Sequence, residues 1–200
     1  MKRVLCMLLI VVVALTSIWA DDALPESVPT YSQGSQMFTF RFGPVVPTFI
    51  YMPEQTPSWF TFDETHFKTG GYGAIRYQGF LNSYLAIGGE LGYLFDYDQS
   101  NLFTSVPFQA KLTYIPLQGT FEIPISFGLG FAYNTYLDSS FLSLFSSAEI
   151  GASLFFTESW GISVSGGLQF VPGIYFGDKA DQSAYTGFLP ITLSISYRSN

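Results

Sequence analysis

The chain alternates bulky apolar side chains with small or polar ones over eight segments. The clearest segment covers residues 122–134, where odd positions carry bulky residues such as Ile125, Phe127 and Phe131, and even positions carry small or polar residues such as Ser126 and Gly128. Neighbouring side chains of a β-strand point to opposite faces. The pattern therefore predicts strands with one bulky apolar face and one small, polar face.

The same alternation marks the other predicted strands. In the first, Phe38, Phe40 and Phe42 share one face, and Thr39 and Arg41 share the other. Prolines at positions 44, 124, 172 and 190 fall within the predicted strands, where each removes a backbone donor and leaves the local register open. The predicted strands cover approximately residues 36–51, 67–79, 84–95, 104–115, 122–134, 141–156, 160–176 and 186–197.

The composition indicates which solvent each face meets. Only 12% of the residues are charged, 18% are aromatic, and the mean hydropathy is +0.29. In a water-soluble barrel the face opposite the core is rich in charged residues, whereas here it is mostly Gly, Ala and Ser. We therefore predict an all-β fold, a transmembrane antiparallel up-and-down β-barrel of eight strands, with the bulky face in lipid and the small face lining a narrow lumen.

The first 20 residues have the features of a secretory signal peptide. Lys2 and Arg3 precede an apolar run over residues 4–15, and Ala20 is the predicted last residue removed. The run is shorter than the ~20 residues that a membrane-spanning helix needs. The predicted organisation is a signal peptide over 1–20, an irregular N-terminal leader over 21–35, and the barrel over 36–200.

Cysteine content and charge exclude several function classes. Cys6 is the only cysteine and would leave with the signal peptide, so the mature chain has no thiol for a disulfide, a metal or a nucleophile. Loss of Lys2 and Arg3 leaves six basic against 15 acidic residues. Because phosphates would be repelled, we expect no nucleic-acid partner.

The predicted connections alternate in length, at about 15, 4, 8, 5, 6, 3 and 9 residues along the chain. Outer-membrane barrels place their long loops outside the cell and their short turns in the periplasm. The alternation therefore predicts that the protein lies in the cell outer membrane with both termini in the periplasm. It also predicts that the longest loop, residues 52–66, is exposed at the cell surface.

Six charged residues fall on the small-residue face of successive predicted strands. Three are basic and three acidic, so we expect them to pair inside the lumen, where an unpaired charge would be costly. Two roles remain open at this point: a structural plug that holds the barrel closed, or the lining or gate of a small solute path. The predicted lumen charge network consists of Arg41, Arg76, Glu90, Lys111, Glu122 and Glu149.

Aromatic residues gather at the ends of the predicted strands. Their amphipathic rings favour the headgroup level of a membrane, so we predict two interfacial girdles that set the depth of the barrel. One girdle comprises Tyr51, Phe67, Tyr93, Phe95, Tyr133 and Tyr175. The other comprises Tyr77, Phe80, Tyr84, Tyr114, Phe156, Trp160 and Tyr197.

No motif predicts catalysis, a cofactor or a metal site, so we expect the protein not to be an enzyme. His66 is the only histidine, and no second His or nucleophile at a known spacing accompanies it. A lipid-directed barrel enzyme that uses His66 is the remote alternative. Residues 96–100 are similar to the opening of a calcium loop, but Asn101 replaces the turn glycine and Pro107 stands where the final Glu belongs.

The signal peptide, the eight amphipathic strands and the paired interior charges together resemble the small eight-stranded outer-membrane proteins of Gram-negative bacteria and spirochaetes, in particular OmpW-like and OmpA/OmpX-like barrels. Such barrels usually end in an aromatic residue that the barrel insertion machinery recognises; here Tyr197 is followed by three more residues. The resemblance implies outer-membrane lipid and that machinery as partners.

The two subfamilies imply different functions. An OmpW-like protein would act as a narrow channel or as a conduit for small hydrophobic solutes, and it would display acidic surface loops. An OmpA/OmpX-like protein would be a closed anchor whose extracellular loops, chiefly 52–66, bind a surface partner in adhesion. We expect the first function and keep the second as the alternative.

Overall fold

The computed structural model describes residues 30–51, 68–98, 101–136, 139–173 and 184–199. The predicted signal peptide, the leader before residue 30, the loop 52–66 with His66, and the girdle residues Phe67 and Tyr175 lie outside these residues. Among the described residues, no helix is long and apolar enough to cross a bilayer. The strands are β1 Gln36–Tyr51, β2 Gly70–Phe80, β3 Leu85–Asp98, β4 Asn101–Tyr114, β5 Phe121–Glu122, β6 Ile125–Tyr136, β7 Ser139–Phe155, β8 Trp160–Gly173 and β9 Ala184–Ser199.

The strands form one closed antiparallel sheet. β1 to β4 pair in chain order, β4 pairs with β6, β6 to β9 again pair in chain order, and β1 pairs with β9 to close the barrel. The short β5 and the longer β6 both pair with β7 and form one barrel strand, interrupted at Ile123 and Pro124. The Gly151 N–H still donates to the Pro124 carbonyl at 2.9 Å across this interruption. The predicted eight-stranded antiparallel barrel is thus confirmed.

The alternation of large and small residues corresponds to the outside and the inside of the barrel. On β6, Phe127, Leu129 and Phe131 are 59%, 67% and 53% exposed, whereas Ser126 and Ala132 are 2% and 0% exposed. The other strands follow the same parity, as Phe38, Phe40 and Phe42 on β1 demonstrate. A continuous apolar outer surface of this kind is stable in hydrocarbon and not in water.

The barrel has two different ends. The terminal end holds residues 30–35, the chain end at residue 199 and the connections 81–84, 115–120 and 156–159. The loop end holds the strand termini that the connections 52–69, 99–100, 137–138 and 174–183 join. The predicted lengths of two connections were wrong, because β3, β4, β6 and β7 extend farther than expected and leave two residues between the strands of each pair. Polar residues there occupy paired strand positions, such as Asp96 opposite Phe103.

The prolines within the strands are accommodated with little loss of pairing. Pro44 on β1 lies opposite Gly71 on β2, and Pro190 on β9 lies opposite Val45 on β1. The register of the β1–β9 pair shifts between Pro47 and Phe49, which is the signature of a β-bulge. The barrel therefore closes with one local irregularity along this seam.

Candidate functional site in the barrel lumen

Five of the six predicted lumen charges meet near the middle of the barrel, and we call this group the central charge layer: Arg41, Arg76, Glu90, Lys111 and Glu149. The Glu149 carboxylate is its hub. Its Oε2 atom accepts hydrogen bonds from Arg41 Nη1 and Arg76 Nη2, both at 2.6 Å, and its Oε1 atom accepts one from Lys111 Nζ at 2.8 Å. Since β2 and β7 lie on opposite walls of the barrel, the Arg76–Glu149 pair spans the lumen.

Glu90 is the second acceptor of the central charge layer. Its Oε2 atom accepts from Arg76 Nε at 2.7 Å and from Arg41 Nη1 at 3.2 Å. Its Oε1 atom accepts from the Tyr72 hydroxyl at 2.9 Å and from Gln109 Nε2 at 2.7 Å. All five charged residues of the layer are between 0% and 8% exposed. Three cations face two anions, so the layer carries one excess positive charge when all five groups are ionised.

Small inward residues create the room for these long side chains. A Cβ atom on Gly167 would lie 2.8 Å from Glu149 Cγ, and one on Gly128 would collide with the Gln109 amide. Arg41 also donates to the hydroxyls of Ser165 and Thr192, at 3.2 and 2.9 Å. The inward Gly and Ser residues therefore leave the space that the long charged side chains occupy, because a narrow barrel cannot hold both a long side chain and a large neighbour.

Glu122 does not belong to the central charge layer, which corrects the sequence prediction. It is buried, and its Oε1 atom accepts from Arg198 Nη1 at 2.6 Å nearer the terminal end. Arg198 was missed, although it shares the inward parity of Ser194 and Ser196 on β9. Its guanidinium also lies 3.8 Å from the centre of the Phe155 ring.

The last residues of the leader close the terminal end around this ion pair. Tyr31 is 2% exposed, its ring stacks on Phe80 at 3.8 Å, and its hydroxyl donates to Glu122 at 2.9 Å. Burial raises the pKa of the Tyr31 phenol, with Glu122 acting in the same direction, so the phenol stays protonated. We call Tyr31, Phe80, Glu122 and Arg198 the terminal plug. Phe80, predicted for a girdle, lies inside the barrel at 3% exposure because Tyr31 covers it.

A cavity of about 40 Å³ lies between the central charge layer and the terminal plug. Eight of its lining residues are Ser or Thr, whose hydroxyls can bind a small number of water molecules. The lining includes Arg41, Glu122, Glu149, Ser163, Ser194 and Ser196.

An apolar layer that sequence analysis missed fills the lumen on the loop-end side of the charges. Every one of the eight barrel strands contributes to it, and its members are Val45, Tyr72, Ala74, Leu94, Phe103, Ala132, Phe145, Val171 and Phe188. Phe103 and Phe188 come from opposite walls, and their rings stack at 5.8 Å with an angle of 14°. The rings thus meet across the lumen. The sequence contained a signal for this layer, because residues an even number of positions apart on a strand lie on the same face. Phe145 lies two residues from Ser147 and four from Glu149, which both point inward.

Most of the described girdle residues point outward. The exposures of Tyr77, Tyr93, Tyr114, Tyr133, Trp160 and Tyr197 range from 41% to 53%. Tyr84 and Phe156 are also exposed, at 40% and 63%, whereas Phe95 is half-buried and packs against Tyr93 and Tyr97. The side chain of Tyr51 lies outside the described part. The role of these rings in setting membrane depth stays a prediction.

Comparison with known proteins identifies the family. One protein-family model matches residues 21–197. The chain belongs to that family. Relatives include an uncharacterized protein of Borreliella burgdorferi, 36% identical over 88 residues that cover 37% of this chain and 42% of that protein. Another, from Treponema pallidum, is 28% identical over 132 residues that cover 64% of this chain and 58% of that protein. The chain thus spans about half the length of these relatives.

One solved structure shows the same fold. Neisserial surface protein A superposes with a TM-score of 0.59 at 11% identity, covering 82% of this chain and 97% of that one. The outer membrane protein OprG from Pseudomonas aeruginosa has a TM-score of 0.47 at 13% identity, covering 87% and 100%. The chain therefore has the fold of the small eight-stranded outer-membrane β-barrels.

Proposed function

We propose that this protein is a closed, non-enzymatic outer-membrane anchor that presents its loop end to a partner at the cell surface. The observation that carries the proposal is the stacking of Phe103 on Phe188 across the lumen, within a layer to which every barrel strand contributes. A hydrated ion would have to displace this layer and then pass the buried salt bridges of the central charge layer. The filled lumen favours an anchor over a pore.

The loop end is the side we assign to the cell surface. It carries the two longest connections, 52–69 and 174–183, whereas both ends of the barrel domain lie at the terminal end. The loop-end connections contain six acidic residues and only Lys68 and Lys179 as basic ones. A positively charged protein surface is the partner chemistry that fits them. The acidic residues are Glu54, Asp63, Glu64, Asp138, Asp178 and Asp181.

The OmpW-like conduit for small hydrophobic solutes is the second candidate. The apolar layer favours it, because an apolar solute entering from the loop end would meet Phe103 and Phe188 rather than charges. However, the cavity beyond the charge layer has a volume of about 40 Å³, which is too small for such a solute. Passage would need the layers to separate, and the anchor function needs no such step.

Single-channel recording in planar bilayers separates the two functions. Folding of the purified barrel is checked first by its change in electrophoretic mobility on boiling. We expect a silent wild-type barrel, and an open porin recorded in the same bilayers serves as the positive control. Stable openings of the wild type would contradict the anchor and favour the channel.

Protease access on intact cells tests the orientation and the surface role. The same cleavage site is inserted between residues 58 and 59 in one variant and between 157 and 158 in a matched control at the opposite end. We expect cleavage of the first and protection of the second. Cleavage of only the second would mean that the terminal end faces outward, and the proposed surface role of loop 52–66 would then be wrong.

A further inference from the structure

Three buried polar residues lie between the apolar layer and the loop end: Asp96 on β3, Ser105 on β4 and Asn134 on β6. Each is 0% exposed and lies on the inward face of its strand. Asp96 and Asn134 are each two residues from the loop-end terminus of their strands. The group is thus close to the mouth of the barrel, on a floor of apolar side chains that includes Leu94 and Phe103.

The strand register brings the three side chains together. Ser105 is directly opposite Asn134, and Asp96 lies one diagonal step from Ser105, because Asp96 is opposite Phe103. Cβ atoms of directly opposed residues are about 5 Å apart, and diagonal ones about 7–8 Å apart. The carboxylate, the hydroxyl and the amide can therefore reach one common point in the lumen.

Each of the three side chains has an oxygen atom without a hydrogen-bond partner: Asp96 Oδ2, Ser105 Oγ and Asn134 Oδ1. The other polar atoms of the group are occupied. Asp96 Oδ1 accepts from the Tyr97 backbone N–H at 2.7 Å, and Asn134 Nδ2 donates to Ser143 Oγ at 2.7 Å. The free atoms are thus three oxygens, and a buried polar atom without a partner is costly.

Asp96 differs in this respect from the other buried carboxylates of the lumen. Glu90, Glu122 and Glu149 each have an Arg or Lys partner, at 3.2 Å or less. Among the described residues, no such ion pair forms with Asp96. A buried carboxylate without a counter-charge is strongly disfavoured, so this position calls for a cation.

We propose that Asp96, Ser105 and Asn134 form a binding site for a hard cation, with Ca²⁺ as the expected ion. Ca²⁺ takes oxygen ligands from carboxylates, amides, backbone carbonyls and water in flexible geometries. One carboxylate makes the site weak, in the range of about 10⁻⁴–10⁻³ M that is typical of extracellular modules. The acidic residues of the loop-end connections raise the local cation concentration.

The proposed site is not a calcium loop of consecutive residues. Its ligands come from three strands that only barrel closure brings together, and only Asp96 belongs to the segment 96–100. The ion would cross-link β3, β4 and β6 just below the loop end. It would thereby stabilise the end of the barrel that carries the surface connections.

Thermal unfolding of the folded full barrel tests the site. Melting is measured with CaCl2, MgCl2 or NaCl at constant ionic strength for the wild type, Asp96→Asn and Glu158→Gln. Glu158 is an exposed acid at the terminal end and serves as the matched control for loss of one negative charge. We expect Ca²⁺ to raise the melting temperature of the wild type and of Glu158→Gln, and not that of Asp96→Asn.

Direct binding of Tb³⁺, a luminescent Ca²⁺ substitute, provides the second measurement. Asp96→Asn is expected to weaken Tb³⁺ binding at least tenfold, Asn134→Leu to weaken it less, and Ca²⁺ to displace Tb³⁺ from the wild type. If Asp96→Asn does not fold, Asn134→Leu and the Ca²⁺ competition decide. Equal responses of Asp96→Asn and wild type to Ca²⁺, or a wild type that binds no Tb³⁺, would overturn the proposal.

Discussion

The central charge layer and the apolar layer fill the same lumen by opposite chemistry. In the charge layer, three long cationic side chains from β1, β2 and β4 converge on two carboxylates from β3 and β7. In the apolar layer, nine residues from all eight barrel strands fill the cross-section by shape, with Phe103 stacked on Phe188. One layer depends on charge pairing, and the other depends on volume.

The difference predicts how each layer fails. Removing one carboxylate from the charge layer leaves buried cations without a counter-charge. This loss costs more than the net contribution of the ion pairs themselves. Removing a ring from the apolar layer leaves a cavity, whose cost grows with its volume. The charge layer should therefore be the more sensitive to single substitutions, and the apolar layer the more graded in its response.

Glu149→Gln should have the largest effect. It leaves Arg41, Arg76 and Lys111 without their common counter-charge, and we expect a loss of about 4 kcal/mol in the free energy of unfolding. Urea unfolding of the barrel in lipid vesicles measures this loss. The exposed Glu158→Gln should change stability by less than about 0.5 kcal/mol. Similar values for both variants would mean that the network contributes no stability.

Phe145→Ala should come next. Phe145 is 0% exposed in the apolar layer, and loss of a buried ring costs about 3 kcal/mol. Ala132→Gly in the same layer should cost much less, because it removes one methyl group. The same urea titration compares the two. Equal losses would show that the layer does not respond to volume as proposed.

Gln169→Met should stabilise the barrel by about 1 kcal/mol. Gln169 is 0% exposed, and neither of its amide atoms has a partner, so an apolar side chain of similar shape removes a desolvation cost. Gln109→Met is the matched control and should destabilise, because the Gln109 amide binds both Glu90 and Ser147. Melting temperatures should shift in opposite directions. A lower melting temperature for Gln169→Met would contradict this explanation.

Lys111→Met should have the smallest effect, below about 1 kcal/mol. The layer holds three cations against two anions, so removing Lys111 relieves the excess positive charge while it breaks a 2.8 Å ion pair. Arg76→Met should cost more, because Arg76 pairs with both carboxylates. The measurement is again urea unfolding. If Lys111→Met proves as damaging as Arg76→Met, the excess charge is balanced by another group.

Prediction from the sequence succeeded for features that depend only on the alternation of inward and outward side chains along a strand. The outward faces, the inward charges at positions 41, 76, 90, 111 and 149, and the count of eight strands all follow from a period of two. It failed for Glu122, because pairing was assigned by strand order and not by height in the barrel. Strand tilt and stagger set the height at which an inward side chain meets its neighbours, and the sequence does not show them.

The apolar layer was missed for a related reason. Leu94 and Phe145 lie beside outward bulky residues, so the local sequence contains several large side chains in a row and does not reveal which point inward. Tyr31 was assigned to an irregular leader, since no pattern in residues 21–35 indicates that one of them enters the barrel. The contacts within the apolar layer and the contacts of Tyr31 both depend on the closed barrel.

The sequence by itself determined the class of this protein: strands of period two, a bulky face suited to hydrocarbon and a small face that holds charges. Those properties follow from residue type and spacing, which are local. The tertiary structure decided which charges meet, that Phe103 and Phe188 stack across the lumen, and that Asp96, Ser105 and Asn134 are neighbours in the strand register. These depend on closure and stagger of the whole sheet, which bring residues far apart in the chain to the same level.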